Sequence, residues 1–361
     1  MSDDIFSRLF ELFNQPGPVN LKLAAELARH LAGEKQPVDP WQAEEFRELT
    51  RLAEFQVEQV APFAVHAAPD VLPVDGREWA ERNLDGFRYL AEPFAGMVNL
   101  GGGMPGMEGL AGIGPALVGM QVGTLVGTLA RWVMAGFDAG VPTHGTGPIT
   151  FVVPTIDRFT REHDLDGREV RLWAALNETA HRALFQVPWA SEHLSELLLQ
   201  HAGAVKVAPD QLMEMFSGFD PTNIESGIDP EQIAGLFDSP ESRITQTELR
   251  AFLGLTAGYT RYLVEAAAGP LLPRLWDIYE LRDGERALGD EAAGNAFAAT
   301  FVESSEIGEG LAFCKEVEKR YGADALGAIW TREGRFPSAL EIADPVAWAA
   351  RVLITDLDIE G

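Results

Sequence analysis

The chain has 361 residues, of which 46% are hydrophobic and 23% are charged, so it is long enough to bury a substantial core. Its 55 acidic residues outnumber 28 basic ones, and the formal net charge of -27 makes it an acidic protein that repels nucleic acid and anionic membrane surfaces. A single cysteine allows no intrachain disulfide. The acidic first residues lack the basic start of a signal peptide. We therefore expect a cytoplasmic protein whose partner is another protein or a peptide.

The first hundred residues carry apolar positions at helical spacing, first over residues 20–33 and again over residues 46–60. Such spacing predicts amphipathic helices that pack into a bundle. Pro69 and Pro73 interrupt the pattern and indicate a connector.

A glycine-rich segment follows, in which Gly119, Gly123 and Gly127 are spaced four apart on one helical face. Its long apolar run makes residues 115–136 the best candidate for a membrane span. Arg131 lies inside the run, which also lacks basic anchors and an aromatic belt. Because glycines let two backbones approach in a soluble core as well as in lipid, we predict a close-packed core helix and no membrane partner.

A short β-branched and aromatic run over Ile149–Val153, bounded by prolines, is the clearest strand. After it, Asp166 can cap a helix that spans Arg168–Gln186 and is stopped by a proline. Helical spacing resumes near residue 247 and continues to the end. The pattern predicts a mainly α protein with a small β component (α+β), in which this central helix packs among other helices and a short sheet.

The central helix carries Asn177-Glu178-Thr179-Ala180-His181, one residue away from the His-Glu-x-x-His signature of zinc peptidases. In that signature two histidines at i and i+4 bind one zinc, and the glutamate activates the metal-bound water. The apolar stripe of the helix places Asn177 and His181 toward the core. Since an amide oxygen is a poor zinc ligand, spacing alone favours two buried polar residues that hydrogen-bond to each other or to backbone.

Longer segments carry a resemblance to a known family. GPVNLKLAAELARHLA is similar to its Gly-Pro-Val-Asn opening helix, and PVDGREWAERNLDGFRYLAEP to its Arg-Glu-Trp segment. VRLWAALNETAHRALFQVPW resembles its most specific pattern, Trp-x-Ala-Leu-His-Glu-x-x-His-x-x-x-Phe followed by Val-Pro-Trp. The family is that of the zincin-like metallopeptidases, formerly a domain of unknown function, with some members labelled as suspected hydrolases associated with coenzyme F420 biosynthesis.

The resemblance implies a single zincin-like unit over residues 1–361. Within it we expect an N-terminal helical part over 1–100 and a C-terminal helical part over 271–361. Between them, a core over 101–270 would hold the glycine-rich helix, the strand and the central helix.

The resemblance also implies roles for individual positions. Glu178 stands where the family has its catalytic glutamate, and His181 stands at the second zinc-ligand position. Asn177 replaces the first ligand. The family's further ligand is a glutamate in a downstream helix, and the matching stretch here is Thr256-Ala257-Gly258-Tyr259, so Ala257 replaces that ligand as well.

These departures fall on the metal ligands and lead to three functional hypotheses. The first is a metallopeptidase homologue that has lost zinc and activity, that is, a pseudoenzyme in which Glu178 is a vestigial general base. It would be retained as a binding or structural protein and would need no cofactor. The alternative is a metal-dependent hydrolase or peptidase that binds zinc through substitute ligands such as His193, His201 or Glu265. The spacing of the two histidines favours exposed positions on an amphipathic helix instead. An unrelated cytosolic interaction protein is the third.

Overall fold

The computed structural model describes residues 17–95, 113–140, 142, 147–204, 240–293 and 302–354. These ranges are mainly helical with two short strands, which confirms the predicted fold class. The strands are β1 (Val71–Val74) and β2 (Ile149–Val152). The longer helices are α1 (Leu21–Leu31), α2 (Gln42–Glu58), α3 (Gly76–Asn83), α4 (Arg88–Ala95), α5 (Ile113–Leu129), α6 (Val153–Glu162), α7 (Gly167–Phe185), α8 (Pro188–Ala204), α9 (Pro240–Ala268), α10 (Leu275–Ala293) and α11 (Ser304–Tyr321). Short helices follow: α12 (Ala323–Gly327), α13 (Ala339–Ala343) and α14 (Pro345–Ala349).

The two strands form a parallel sheet in which Val71 pairs with Ile149 and Val74 with Val152. β2 confirms the predicted strand to within one residue. β1 is a correction, because the sequence predicted a connector around Pro73. Proline has no backbone N–H to donate to a neighbouring strand, so it is rare in strands that are paired on both sides. In the described sheet β1 is paired with β2 alone, and such an edge strand tolerates proline.

The central helix α7 keeps its predicted bounds to within one residue at each end. The side chain of Asp166 caps it by accepting two backbone N–H bonds in the first turn. Helices α2, α6, α8 and α9 pack against it, and as a result every residue of Leu172–Ala180 is buried. A helix covered on all faces buries even polar residues outside its apolar stripe, Glu178 among them.

The glycine-rich helix α5 packs directly against α1. A Cβ atom added at Gly119 would lie 2.4 Å from the carbonyl oxygen of Asn20, and one at Gly123 would lie 2.5 Å from that of Ala24. The glycine face therefore lets the two backbones meet, as predicted for a close-packed core helix. The helix ends at Leu129, earlier than predicted, because the chain then turns toward β2. In the part of the chain that the structure describes, no helix is long and apolar enough to cross a bilayer.

We expect Gly123→Ala to lower the free energy of unfolding by about 2 kcal/mol, because its methyl group would overlap the backbone of Ala24, which cannot rotate away. Urea denaturation followed by circular dichroism measures this change. The matched control is Gly284→Ala in α10, where an added Cβ meets nothing within 4 Å. It should be neutral or stabilising by up to about 1 kcal/mol. Equal stability of Gly123→Ala and wild type would contradict the tight helix crossing.

Candidate functional site

The polar motif residues lie in the middle of α7. Asn177 and Glu178 are buried, with 7% and 3% of their surfaces exposed, and His181 is half-buried. Buried polar groups need hydrogen-bond partners, so the neighbours of each side chain decide what it can do.

Glu178 faces the loop between α5 and β2. Its Oε2 accepts a hydrogen bond of 2.9 Å from the backbone N–H of Phe137, the first residue of a short 3-10 turn, Phe137–Ala139. Burial raises the pKa of the Glu178 carboxyl to about 7, while the Phe137 N–H and the Arg182 guanidinium oppose that shift. In this structure the carboxyl group caps the turn.

The same loop is fixed from two other directions. The buried carboxylate of Asp138 pairs with Arg282 of α10, and Arg286 donates a hydrogen bond of 3.0 Å to the Asp138 carbonyl. On the other side, Ala135 forms an antiparallel bridge with Phe151 of β2. Residues 135–138 of this loop are therefore held in place beside α7.

His181 presents an imidazole whose two nitrogens have different roles. Nδ1 lies 2.9 Å from the backbone carbonyl oxygen of Asn177. Because a carbonyl only accepts, Nδ1 carries the hydrogen and Nε2 keeps its lone pair. The ring stacks on Phe137 with centroids 5.6 Å apart. Burial lowers the pKa of His181 to about 4, with the hydrogen bond to Asn177 opposing the shift and the charge of Arg286 adding to it. Nε2 of a neutral imidazole can accept a hydrogen bond or bind a metal.

His181 lines a small pocket together with Thr256 and Ala257 of α9. The other described residues that line it are Phe137, Gly140, Pro142, Phe185 and Leu253. The space between its walls that the centre of a water molecule can occupy is about 10 Å³, roughly what one water needs. The sequence-derived positions His181 and Ala257 thus meet at one pocket. Asn177 and Glu178 are not among the described residues that line it.

The side chains that the structure describes around this pocket do not fit a catalytic zinc. Such an ion takes three protein ligands, from histidine, cysteine or carboxylate side chains, plus a water. His181 is the one residue of these types among the described lining residues. The hydroxyl of Thr256 already donates to the backbone carbonyl of Phe252. The described lining therefore offers one imidazole nitrogen among mostly apolar side chains.

The three candidate substitute ligands do not line the pocket among the residues described. His193 Nδ1 lies 2.9 Å from Oε1 of Glu333, and Glu265 is paired with a lysine of α11. His201 is buried, and its Nδ1 lies 3.0 Å from Oγ1 of Thr245. The predicted exposed position is wrong for His201, because the start of α9 covers that part of α8.

Sequence reasoning missed the residues that hold the loop. The stretch Gly136-Phe137-Asp138-Ala139-Gly140 carries a usable signal, since an aspartate between glycines after an apolar helix can accept from backbone N–H groups of its own loop. Asp138 does so through Met134 N–H, at 2.9 Å. The role of Arg282 had no such signal, because its partner Asp138 is 144 positions away.

Comparison with known proteins agrees with this fold. A family model described as zincin-like metallopeptidase matches residues 19–349. The chain is also similar to a crystal structure from Chloroflexus aurantiacus, described as a suspected hydrolase with a novel fold. That match has a TM-score of 0.66 at 23% identity and covers 92% of this chain and 98% of the other. No curated protein matches the chain. At this identity the structural match shows a shared fold.

Proposed function

Since the chain belongs to the zincin-like metallopeptidase family, we propose that it keeps the family fold without the zinc chemistry and acts as a binding protein through the His181 pocket. The observation that carries this proposal is the meeting of His181 with Ala257 in one pocket. Where the resemblance expects a carboxylate ligand, this chain has a methyl group. The one imidazole among the described lining residues is too small a ligand set to hold a catalytic zinc.

The arrangement of Glu178 supports the same proposal. Water has a pKa of about 15.7, and a bound metal is what brings it near 7. Without the metal, a carboxylate alone is a weak activator of water. The Glu178 side chain is also engaged with the Phe137 N–H. Withdrawing it would leave a buried donor unpaired, which costs about 1–3 kcal/mol. We therefore assign Glu178 a structural role and regard it as a vestigial general base.

The pocket favours a small apolar group that carries one hydrogen-bond donor. Aromatic and aliphatic side chains form most of its walls, and Nε2 of His181 is an acceptor at neutral pH. The space open to the centre of a water molecule is about 10 Å³, which holds about one water and is far below the roughly 300–1,000 Å³ that drug-sized ligands occupy. A peptide or protein partner would therefore contribute no more than the tip of one small side chain to this pocket.

Zinc content and thermal melting test the proposal. We expect tag-free wild type and His181→Asn to contain the same amount of zinc and to respond equally to EDTA, because an ion bound by His181 would stabilise only the wild type. Peptidase and esterase assays on general substrates should stay at background. A stoichiometric zinc that disappears in His181→Asn would overturn the proposal and favour the alternative, a metal-dependent hydrolase.

A further inference from the structure

A cluster of side chains of the types that can bind a metal ion lies away from the His181 pocket. Within the described ranges, His193, Glu196 and Glu333 bring one ring nitrogen and two carboxylate oxygens within 4.8 Å of one another. His193 and Glu196 are one turn apart on α8. Glu333 comes from a short 3-10 turn, Glu333–Arg335, that lies far along the chain.

Aromatic packing fixes the two elements of this cluster. Trp189 of α8 stacks on Trp330 with centroids 5.7 Å apart, and its indole N–H donates to the Trp330 carbonyl over 3.1 Å. The His193 ring packs against Phe252 and Phe336, with centroid distances of 5.1 Å and 6.2 Å. An imidazole held in this way loses little freedom when it binds a ligand.

The cluster also carries negative charge that no described lysine or arginine neutralises through an ion pair. Among the described residues, no lysine or arginine pairs with Glu196 or Glu333, although Glu333 faces the His193 imidazole. Elsewhere in the fold a guanidinium lies between neighbouring carboxylates, as Arg250 does at 2.7 Å from Glu303 and 2.8 Å from Glu306. Two unneutralised carboxylates at such a distance repel each other, and a divalent cation between them would remove that repulsion.

The contact with Glu333 leaves His193 without an aligned hydrogen bond at Nδ1. Its Nδ1 atom is buried and 2.9 Å from Oε1 of Glu333, yet it has no aligned hydrogen-bond partner in the described part of the chain. The carboxylate is therefore not aligned with the in-plane bonding direction of that nitrogen, and the neutral tautomer with its hydrogen on Nε2 would offer the Nδ1 lone pair to an ion. Ligands about 2.1 Å from a tetrahedral zinc lie roughly 3.4 Å apart, so small rotations of the two glutamates would complete the geometry.

We propose that His193, Glu196 and Glu333 bind a divalent transition-metal ion that fastens the C-terminal segment to α8. One imidazole and two carboxylates suit zinc, and the exposed side of the cluster admits water as a further ligand. This ion would not replace a peptidase zinc, because none of its three ligands is among the described residues that line the His181 pocket. His193 contacts Phe252, Phe252 contacts Phe185, and only Phe185 of these three lines the His181 pocket.

Calorimetric titration of the tag-free protein with zinc chloride tests this site. We expect one equivalent of zinc to bind to the wild type, and Glu196→Gln and Glu333→Gln each to weaken binding by at least about 10-fold. Glutamine keeps the size of each side chain, and circular dichroism verifies that both variants fold. His181→Asn should bind zinc as the wild type does. Magnesium should not bind at the same concentration, because imidazole is a poor ligand for it.

Wild type that binds no zinc at about 1 mM, or binding unchanged in both glutamine variants, would overturn the inference. Equal binding of magnesium would refute the transition-metal assignment. A zinc ion lost in His181→Asn but kept in the glutamine variants would belong to the pocket. That result would refute the proposed function as well, so the two failures are distinguishable.

Discussion

The Glu178→Gln variant is expected to become more stable relative to the wild type as the pH rises. The difference between their free energies of unfolding should grow by about 3 kcal/mol from pH 4.5 to about 7. Burial raises the pKa of Glu178 to about 7 from its ordinary 4.5. Between these values the unfolded chain has released the proton that the folded protein still holds, so this group makes the wild type less stable as the pH rises. A difference of ~2.5 pH units at about 1.36 kcal/mol each gives the magnitude. Glutamine keeps the shape and does not titrate.

His181 opposes this slope in the wild type. Its pKa is lowered to about 4 from an ordinary 6.5, so between these values the unfolded chain binds a proton that the folded protein does not. Its contribution to stability therefore rises with pH. The two contributions nearly cancel between about pH 4.5 and 6.5. His181→Gln should lose stability relative to the wild type over the same window, as the mirror image of Glu178→Gln.

Urea denaturation at several pH values between about 4.5 and 7.5 measures both differences. The other acidic residues are common to all the proteins, so their titration is removed when each variant is compared with the wild type. Neither of the two groups is a main cause of the other's pKa shift, and the double variant should show the sum of the single effects. If the free energies of unfolding of wild type and Glu178→Gln changed in parallel with pH, that would contradict the protonated, buried state of Glu178.

The sequence was sufficient for elements with local signals. Helix α7 follows from its Asp166 cap and its apolar spacing, and β2 from a β-branched run between prolines. β1 has only four residues, one of them Pro73, and it exists because β2 lies beside it. Such a strand depends on a partner far away in the chain, so its own residues do not indicate it.

The site was predictable only where the family resemblance supplied long-range information. That resemblance paired His181 with the helix of Ala257, and the structure brings both to one pocket. Spacing alone could not give the direction of Glu178, because its partner is a backbone N–H 41 positions away at Phe137. The burial of His201 was missed for the same reason, since the residues that cover it come from α9.

The combined change Asn177→His and Ala257→Glu is expected to create zinc binding at least about 100-fold tighter than either single change. Residue 177 lies one turn before His181 on the same side of α7, and Ala257 shares the pocket with His181. The bond from His181 Nδ1 to the Asn177 carbonyl leaves Nε2 free to bind the ion. One added ligand would still leave two protein ligands, and zinc sites of this kind use three.

Calorimetric zinc titration should compare the two singles, the double and their parent, all in a Glu333→Gln background that removes the proposed second site. The matched control is Asn177→His with Ala257→Gln, which has nearly the same size but no carboxylate, and it should bind much more weakly. Because the pocket is small, circular dichroism and melting must first show that the double variant is folded. Equal, negligible binding in all of these folded proteins would remove the argument that this is a decayed zincin site.

We expect the rebuilt site to bind zinc without efficient hydrolysis. A general base must reach the metal-bound water within hydrogen-bond distance, whereas the Glu178 carboxyl is engaged with the Phe137 N–H and is absent from the described lining of the pocket. Restoring the ligands does not change that contact. Peptidase assays on the zinc-loaded double variant measure the outcome, with Glu178→Gln added to it as the control. Activity that appears in the double variant and disappears with Glu178→Gln would show that the glutamate can leave the loop, and its assigned structural role would then be wrong.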